Sequence, residues 1–295
     1  MAWQRLVLHV DAGDLARAES LLSIAGAQSL SISDGADEPL LEPAPGETPL
    51  WRSLELSALF PTDVELAGLC DALETALGPA TAPAVESLDD EDWIAAWRQR
   101  IAPCEFGARL WVVPAEASLE PMPGRELRLG MGLAFGTGRH ATTSLCLEWL
   151  ATRTLDDGDV LDFGCGSGIL ALAALTLGAR RAWAVDNDPQ ALLATADNAK
   201  LNGFDAAIWI GDLDALPPIR ADVVLANIVA GTLVVHAGRL AACARPGASI
   251  VLSGILESQR ADVESAYAAY FEAFECASSD GWVRLVGRRK APAQD

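Results

Sequence analysis

What the chain is short of limits it first. Lysine is absent from residues 1–100, which carry 18 Asp or Glu against five Arg, so −13 of the net charge of −20 sits there. A nucleic-acid backbone asks for the opposite sign, and no direct nucleic-acid binding is expected. A basic protein is the partner such a face attracts; a surface kept soluble by acid is the plainer account, and the charge alone leaves both open. No uninterrupted apolar run reaches the roughly 18 residues of a membrane span. The start, MAWQRLVLHVDAGD, holds one Arg and then turns acidic. It lacks the basic opening, long apolar centre and small-residue cleavage site of a signal peptide, so a cytoplasmic protein with no membrane contact is expected. Cys70, Cys104, Cys146, Cys165, Cys243 and Cys276 form no CxxC pair, and the three histidines lie far apart. That excludes clustered zinc ligands and points to reduced, mostly buried thiols and no metal.

What is present is apolar and periodic. Length suggests roughly two domains, and 51% apolar residues supply their cores. Residues 3–10 (WQRLVLHV), QSLSIS and RSLELSALF read as strands, and DLARAESLLSIAGA reads as a helix. TDVELAGLCDALETALG reads as a second helix with Thr62 as N-cap. With a short strand near Val85 the order is β-α-β-β-α-β, a ferredoxin-like domain expected over 1–88. An acid-capped helix carrying Trp93 and Trp97 is expected within a linker at 89–105, and the remaining domain over 106–295. There RLWVVPA and ELRL read as strands, and a helix follows near TTSLCLEWLATR. Apolar strands at 159–163, 181–186, 207–211, 222–227 and 248–253 are mostly separated by helical segments, which implies a largely parallel sheet covered on both faces. The tail, EAFECASSDGWVRLVGRR, reads as an antiparallel hairpin on a Ser-Asp-Gly turn. A parallel sheet ending in such a hairpin is the topology of the Rossmann-like class I S-adenosylmethionine methyltransferases.

The stretch LDFGCGSGILALAALTLGARRAWAVDND holds the most chemistry. Gly164, Gly166 and Gly168 give GxGxG, one residue tighter than the dinucleotide fingerprint GxGxxG, and no GxxxxGK[ST] is present. Asp162 stands two residues before the first glycine. A carboxylate there repels a pyrophosphate and suits a cofactor bearing an ammonium and a sulfonium, as S-adenosylmethionine does. The glycines let the backbone approach that cofactor closely. Asp186, 22 residues after Gly164, can take both ribose hydroxyls. Asp188 before Pro189 is a helix cap. Asp212, after the third strand of this unit, meets the adenine amino group or is a plain loop acid. Asn227 ends the fourth strand; its side-chain carbonyl can orient an attacking amine. Phe135 can stack near the cofactor or pack in the core, and His140 can hold its loop or accept a proton. Gly231 and Ala230 suit a pocket that must admit growing methyl bulk.

GLAFGTGRHATTSLCLEWL, VLDFGCGSGILALAALTLGA, VDNDPQAL and ADVVLANIVAG together resemble the PrmA family, bacterial methyltransferases acting on ribosomal protein eleven of the large subunit. PGETPLW, EDWIAAW and SGIL extend the resemblance over essentially the whole chain. It implies a cofactor site formed by Thr143, Gly164, Asp186 and Asn227, to which Asp162, Gly166, Phe135, Thr142 and Asp212 are added as candidates. It also implies trimethylation of lysine side chains and the α-amine and an N-terminal domain that clamps the basic substrate protein; separately, a monomer is expected. Met131, Arg139 and Ala141 replace the usual Pro, Thr and Pro of the family, which bears on loop rigidity. The other readings are a class I enzyme on another protein or a small amine, and a cofactor-binding ribosome-assembly factor.

Overall fold

The structure, a computed structural model, describes residues 3–36, 51–88, 102–115, 117, 122–130 and 138–291, with the side chain of Leu88 excepted. The chain divides into two compact units, Met1–Arg100 and Ile101–Asp295. Phe135, Met131, Trp93, Trp97 and most of the expected linker helix lie outside the described residues.

In the first unit, β1 (Trp3–Asp11), α1 (Leu15–Ile24), β2 (Ser29–Asp34), β3 (Ser53–Pro61), α2 (Ala67–Leu77) and β4 (Ala84–Leu88) form an antiparallel sheet in the order β2-β3-β1-β4. Strand periodicity puts Leu54, Leu56, Ala58 and Phe60 of β3 on one face. There they meet Leu6 and Leu8 of β1, Leu22 of α1 and Leu73 of α2, all fully buried. Each such Leu contributes about 1.5–3 kcal/mol. Thr62 does not cap α2. The helix begins five residues later, at Ala67, and Leu66 stands at its cap position. Residues 61–64 instead form a turn, Val64 N–H to Pro61 O, which Gln4 Nε2 clamps by donating to the carbonyls of Pro61 and Val64. That side-chain clamp comes from a strand 57 residues away, so local cap chemistry gives no sign of it.

In the second unit β5 (Cys104–Phe106) pairs antiparallel with β6 (Leu110–Pro114), which runs parallel to β7 (Arg125–Leu129). Cys104 and Glu105, expected at the end of a linker helix, are therefore strand residues. Then come α3 (Ala141–Ala151), β8 (Asp159–Phe163), α4 (Ile169–Thr176), β9 (Arg181–Val185), α5 (Pro189–Leu201), β10 (Ile208–Gly211), β11 (Ala221–Asn227), α6 (Ala230–Cys243), β12 (Ala244–Leu256), α7 (Arg260–Tyr267), β13 (Phe271–Ser279) and β14 (Trp282–Arg289). The sheet order is β10-β9-β8-β11-β12-β14-β13; β10 to β12 are parallel, and β14 and β13 close the edge antiparallel.

Alternate residues of the central strands enter two different cores. Val160, Val223 and Leu225 pack with α3 and α4 on one face, and Leu161, Val224 and Ala226 pack with α6 and α7 on the other. Burial on both faces is why these strands read as continuous apolar runs. At the amino ends of the strands, Asp159 is held by Arg180 (2.8 Å) and Arg245 (2.9 Å), and its N–H donates to Asp222. The carboxyl ends are left for the site. From β8 the chain goes on to β9 and β10 on one side, while β11 and β12 lie on the other. The tips of β8 and β11 thus flank the switch point where open α/β sheets bind ligands.

All six cysteines are free thiols, but only Cys146 and Cys165 are buried, fewer than expected. Among the described residues no group of three or more His, Cys, Asp or Glu is placed to hold a metal, and no helix is long and apolar enough to cross a membrane.

Candidate active site

The loop after β8 carries three glycines with positive φ: Gly164 (78°), Gly166 (55°) and Gly168 (78°). L side chains resist this region, and the surroundings add a second constraint. A Cβ on Gly164 would stand 2.2 Å from Ile228 Cγ2, and one on Gly168 would stand 2.8 Å from Thr195 Cγ2. At these two positions packing inside the protein demands glycine, and Gly164 also lines the cavity where a cofactor's close approach is expected. The loop is then stitched down. Gly164 and Cys165 N–H groups donate to Val185 O, Thr195 Oγ1 donates to Gly166 O, and Asn198 Nδ2 donates to Ser167 O.

Around this loop lies a cavity of about 220 Å³. Six of the expected residues line it: Thr142, Thr143, Asp162, Gly164, Gly166 and Asn227. Asp162 is 1% exposed; its Oδ2 accepts from the Ala171 N–H at 2.9 Å, while Oδ1 is buried without a hydrogen-bond partner. Burial, opposed by the Ala171 N–H and reinforced by the charge of Asp186, pushes this carboxyl up to about 7. An orphaned carboxyl oxygen beside a cavity leaves an acceptor open to a ligand's donor, and a cationic donor suits it best. Among the described residues no Lys or Arg lines the cavity, so a pyrophosphate would meet the Asp162 carboxyl with no cation to offset its charge. The donor set fits a cofactor with an ammonium and a sulfonium.

Asp186 and Asp212 are not among the lining residues. Asp186 Oδ2 accepts from Gly166 N–H at 2.9 Å and Oδ1 from Asp188 N–H at 3.0 Å, so this carboxylate ties the loop to the tip of β9. Each oxygen keeps a second lone pair for a further donor. Asp212 is exposed and caps a short 3₁₀ turn through Asp214 N–H. Asp188 caps α5 through Gln190 N–H. Arg139 is exposed and donates to Ala102 O. Gly231 is exposed and Ala230 is buried in the core under α6. Ile228 and Val229 line the cavity where those two were expected.

Sequence reasoning missed Trp282. It follows the Asp280–Gly281 turn, lines the cavity, and lies edge-on to His140 with ring centroids 5.3 Å apart. The Ser-Asp-Gly turn signal located the hairpin, but nothing local shows that the first aromatic of its second strand reaches the cleft. His140 is the N-cap of α3; Nδ1 lies 2.8 Å from Thr142 Oγ1.

A family model described as ribosomal protein L11 methyltransferase (PrmA) matches residues 2–290. The ribosomal protein L11 methyltransferase of Pseudomonas aeruginosa (strain LESB58) is 44% identical over 293 residues, covering 99% of this chain and 100% of its own length. That of Azotobacter vinelandii (strain DJ) is 45% identical over 293 residues, covering 98% and 100%. The crystal structure of a ribosomal protein L11 methylase from Lactobacillus delbrueckii subsp. bulgaricus is similar with a TM-score of 0.58 and 31% identity, over 64% of this chain and 99% of that one. Fold and cleft together define a class I methyltransferase whose methyl donor is S-adenosylmethionine. Within that class, the chain belongs to the ribosomal protein L11 methyltransferase (PrmA) family.

Proposed function

We propose that the protein methylates amino groups of ribosomal protein L11, lysine side chains and the α-amine, up to the trimethyl state. The observation that carries the site assignment is the buried, unpartnered Oδ1 of Asp162 on a cavity with no Lys or Arg among its described lining residues. Asp162 meets the cofactor's ammonium. Asp186 takes the ribose hydroxyls on its remaining lone pairs while holding Gly166 in place. Asp212, exposed and already capping a turn, accepts from the adenine amino group on its free lone pairs.

Bound there, S-adenosylmethionine supplies an activated methyl group. That methyl would pass to the lone pair of the neutral amine nitrogen, with sulfur keeping the electron pair of the C–S bond. The amine must first be neutral. At pH 7 only about one lysine in 10³ is, given an ordinary pKa of about 10.4. The protein's part is to desolvate and position: a dry cleft next to a cationic centre favours proton loss to water, and no strong base is required. Asn227, at the tip of β11 on the cavity wall, accepts an N–H of the amine on its side-chain carbonyl and aims the lone pair. Residues 1–88, acidic and ferredoxin-like, serve as the domain that engages the basic substrate protein, and the enzyme works as a cytoplasmic monomer.

Mass spectrometry of purified L11 incubated with enzyme and S-adenosylmethionine tests this. Wild type adds methyl groups in steps of 14 Da to L11 amines, while Asp186→Ala and Asn227→Ala lose most of that activity. Label appearing only on RNA or on free small amines would overturn the assignment.

A further inference from the structure

Two neighbouring strand tips grip the first turn of α3. Asn227 ends β11, and Ser253 is its register partner on β12. Ser253 Oγ donates to the Thr142 carbonyl at 3.1 Å, and Asn227 Nδ2 donates to Thr143 Oγ1 at 3.2 Å. The turn is fixed from its own side as well, because His140 caps it and Ser144 Oγ donates to Gly138 O at 2.7 Å. Thr143 is 4% exposed, so its hydroxyl has little freedom to look elsewhere. Both Thr143 and Asn227 line the cavity.

A carboxamide carries donors at one end and an acceptor at the other. Turned by half a revolution, Asn227 would present N–H donors to an incoming amine, which is itself a donor. In the structure Nδ2 is the end anchored on Thr143 Oγ1, which leaves Oδ1 as the end offered to a ligand. We propose that Thr143 is a positioning residue: by accepting from Asn227 Nδ2 it sets the carboxamide so that Oδ1 receives the amine N–H during methyl transfer. The inference rests on the amine-methylation reading given above and adds a residue that acts through Asn227.

This role has a signature that a merely structural one lacks. A neutral primary amine has two N–H bonds and a monomethylated one has a single N–H, so each can donate to Oδ1 while its lone pair attacks. A neutral dimethylated amine has none. The hydrogen bond thus aids the first two transfers and is absent from the third.

The test uses full-length enzyme with two forms of L11, one unmethylated and one carrying dimethyllysine at the target position. Thr143→Val keeps shape and burial and removes the hydroxyl; Thr143→Ala removes it with less volume should the valine variant fold poorly; Thr143→Ser restores it. For unmethylated L11, kcat is expected to fall about tenfold in the first two variants, the factor that one well-placed hydrogen bond makes in a rate. The third transfer falls by a smaller factor, so the ratio of first-transfer to third-transfer kcat drops several-fold against wild type; because Thr143 lines the cavity, any loss of S-adenosylmethionine affinity is shared by both substrates and cancels in that ratio, and serine rescues. Equal losses on both substrates, a loss confined to cofactor affinity, or no rescue by serine overturns the positioning role and leaves the proposed function standing. No methyl transfer from wild type to either form of L11 overturns both.

Discussion

Asp162 shows at the scale of one residue how the fold stores binding capacity. Its buried carboxyl, pushed up to about 7, holds its proton in the folded chain at pH values where the unfolded chain has lost it. Between the unfolded carboxyl range near 4 and about 7 the native state binds more protons, so this group's contribution to stability falls as pH rises through that window. A cationic ligand reverses the preference by favouring the carboxylate. Binding of S-adenosylmethionine near pH 7 is therefore expected to release a proton, and affinity is expected to weaken below pH 7 by up to about tenfold per unit. Calorimetry in two buffers of different ionisation enthalpy reads the proton directly, and Asp162→Asn should flatten the pH dependence. Gly164 gives a second expectation. Gly164→Ala meets both the positive φ and Ile228, and is expected to lower stability by about 1–3 kcal/mol along with cofactor affinity. Because the clash is with Ile228 Cγ2, Ile228→Ala should recover part of that loss. A double-mutant cycle on urea midpoints would show a favourable coupling, and strict additivity would disprove the steric account. Both Asp162 and Gly164 were legible in the sequence, since loop motif and charge are local. Trp282, Ile228 and the stitching residues Thr195 and Asn198 were not, because each reaches the loop only through tertiary packing.

At the scale of elements, alternation carried most of the fold. The parallel strands, the edge hairpin and the β-α-β-β-α-β order of the first unit follow from hydrophobic period and turn residues, and they put Asp162 and Asn227 on neighbouring strand tips. What failed was punctuation. Thr62 has the chemistry of a cap, yet a glutamine from β1 holds its segment in a turn; Cys104–Phe106 is too short a strand to show a period. The ion network at the opposite end of the sheet was equally invisible, being assembled from Asp159, Arg180, Asp222 and Arg245 across three strands and a loop. Asp159 is buried, but Arg180 and Arg245 are 54% and 41% exposed, so water screens much of the pairing. Asp159→Asn is expected to cost about 1–2 kcal/mol. The urea midpoint would move without a change in slope. Because the network lies at the amino ends of the strands, kcat for methyl transfer should hold; a fall in kcat would show that the two ends of the sheet are coupled.

At the scale of the whole molecule, charge is the property that sequence states outright and packing does not alter. The first hundred residues hold −13 of the chain's −20. Asp63, Glu65, Asp71 and Glu74, at and before α2, are exposed, and among the described residues none of them forms an ion pair. If this unit engages a basic ribosomal protein, encounter is steered by a field that salt screens over about 10 Å at 0.1 M and about 3 Å at 1 M. The methyl-transfer step, inside a cleft with its one described lining carboxylate buried, is insulated from that screening. KM for L11 is therefore expected to rise roughly tenfold between about 50 and 500 mM salt while kcat stays nearly constant. Replacing Asp63, Glu65, Asp71 and Glu74 together by Lys should raise KM at low salt to the high-salt value and flatten the salt dependence, with affinity for S-adenosylmethionine unchanged. Exposed charge exchanges of this kind cost little stability, so a melting temperature close to wild type separates lost recognition from lost folding. A KM indifferent to both salt and charge reversal would mean that the acidity of this unit serves solubility, and that L11 is held by contacts of another kind.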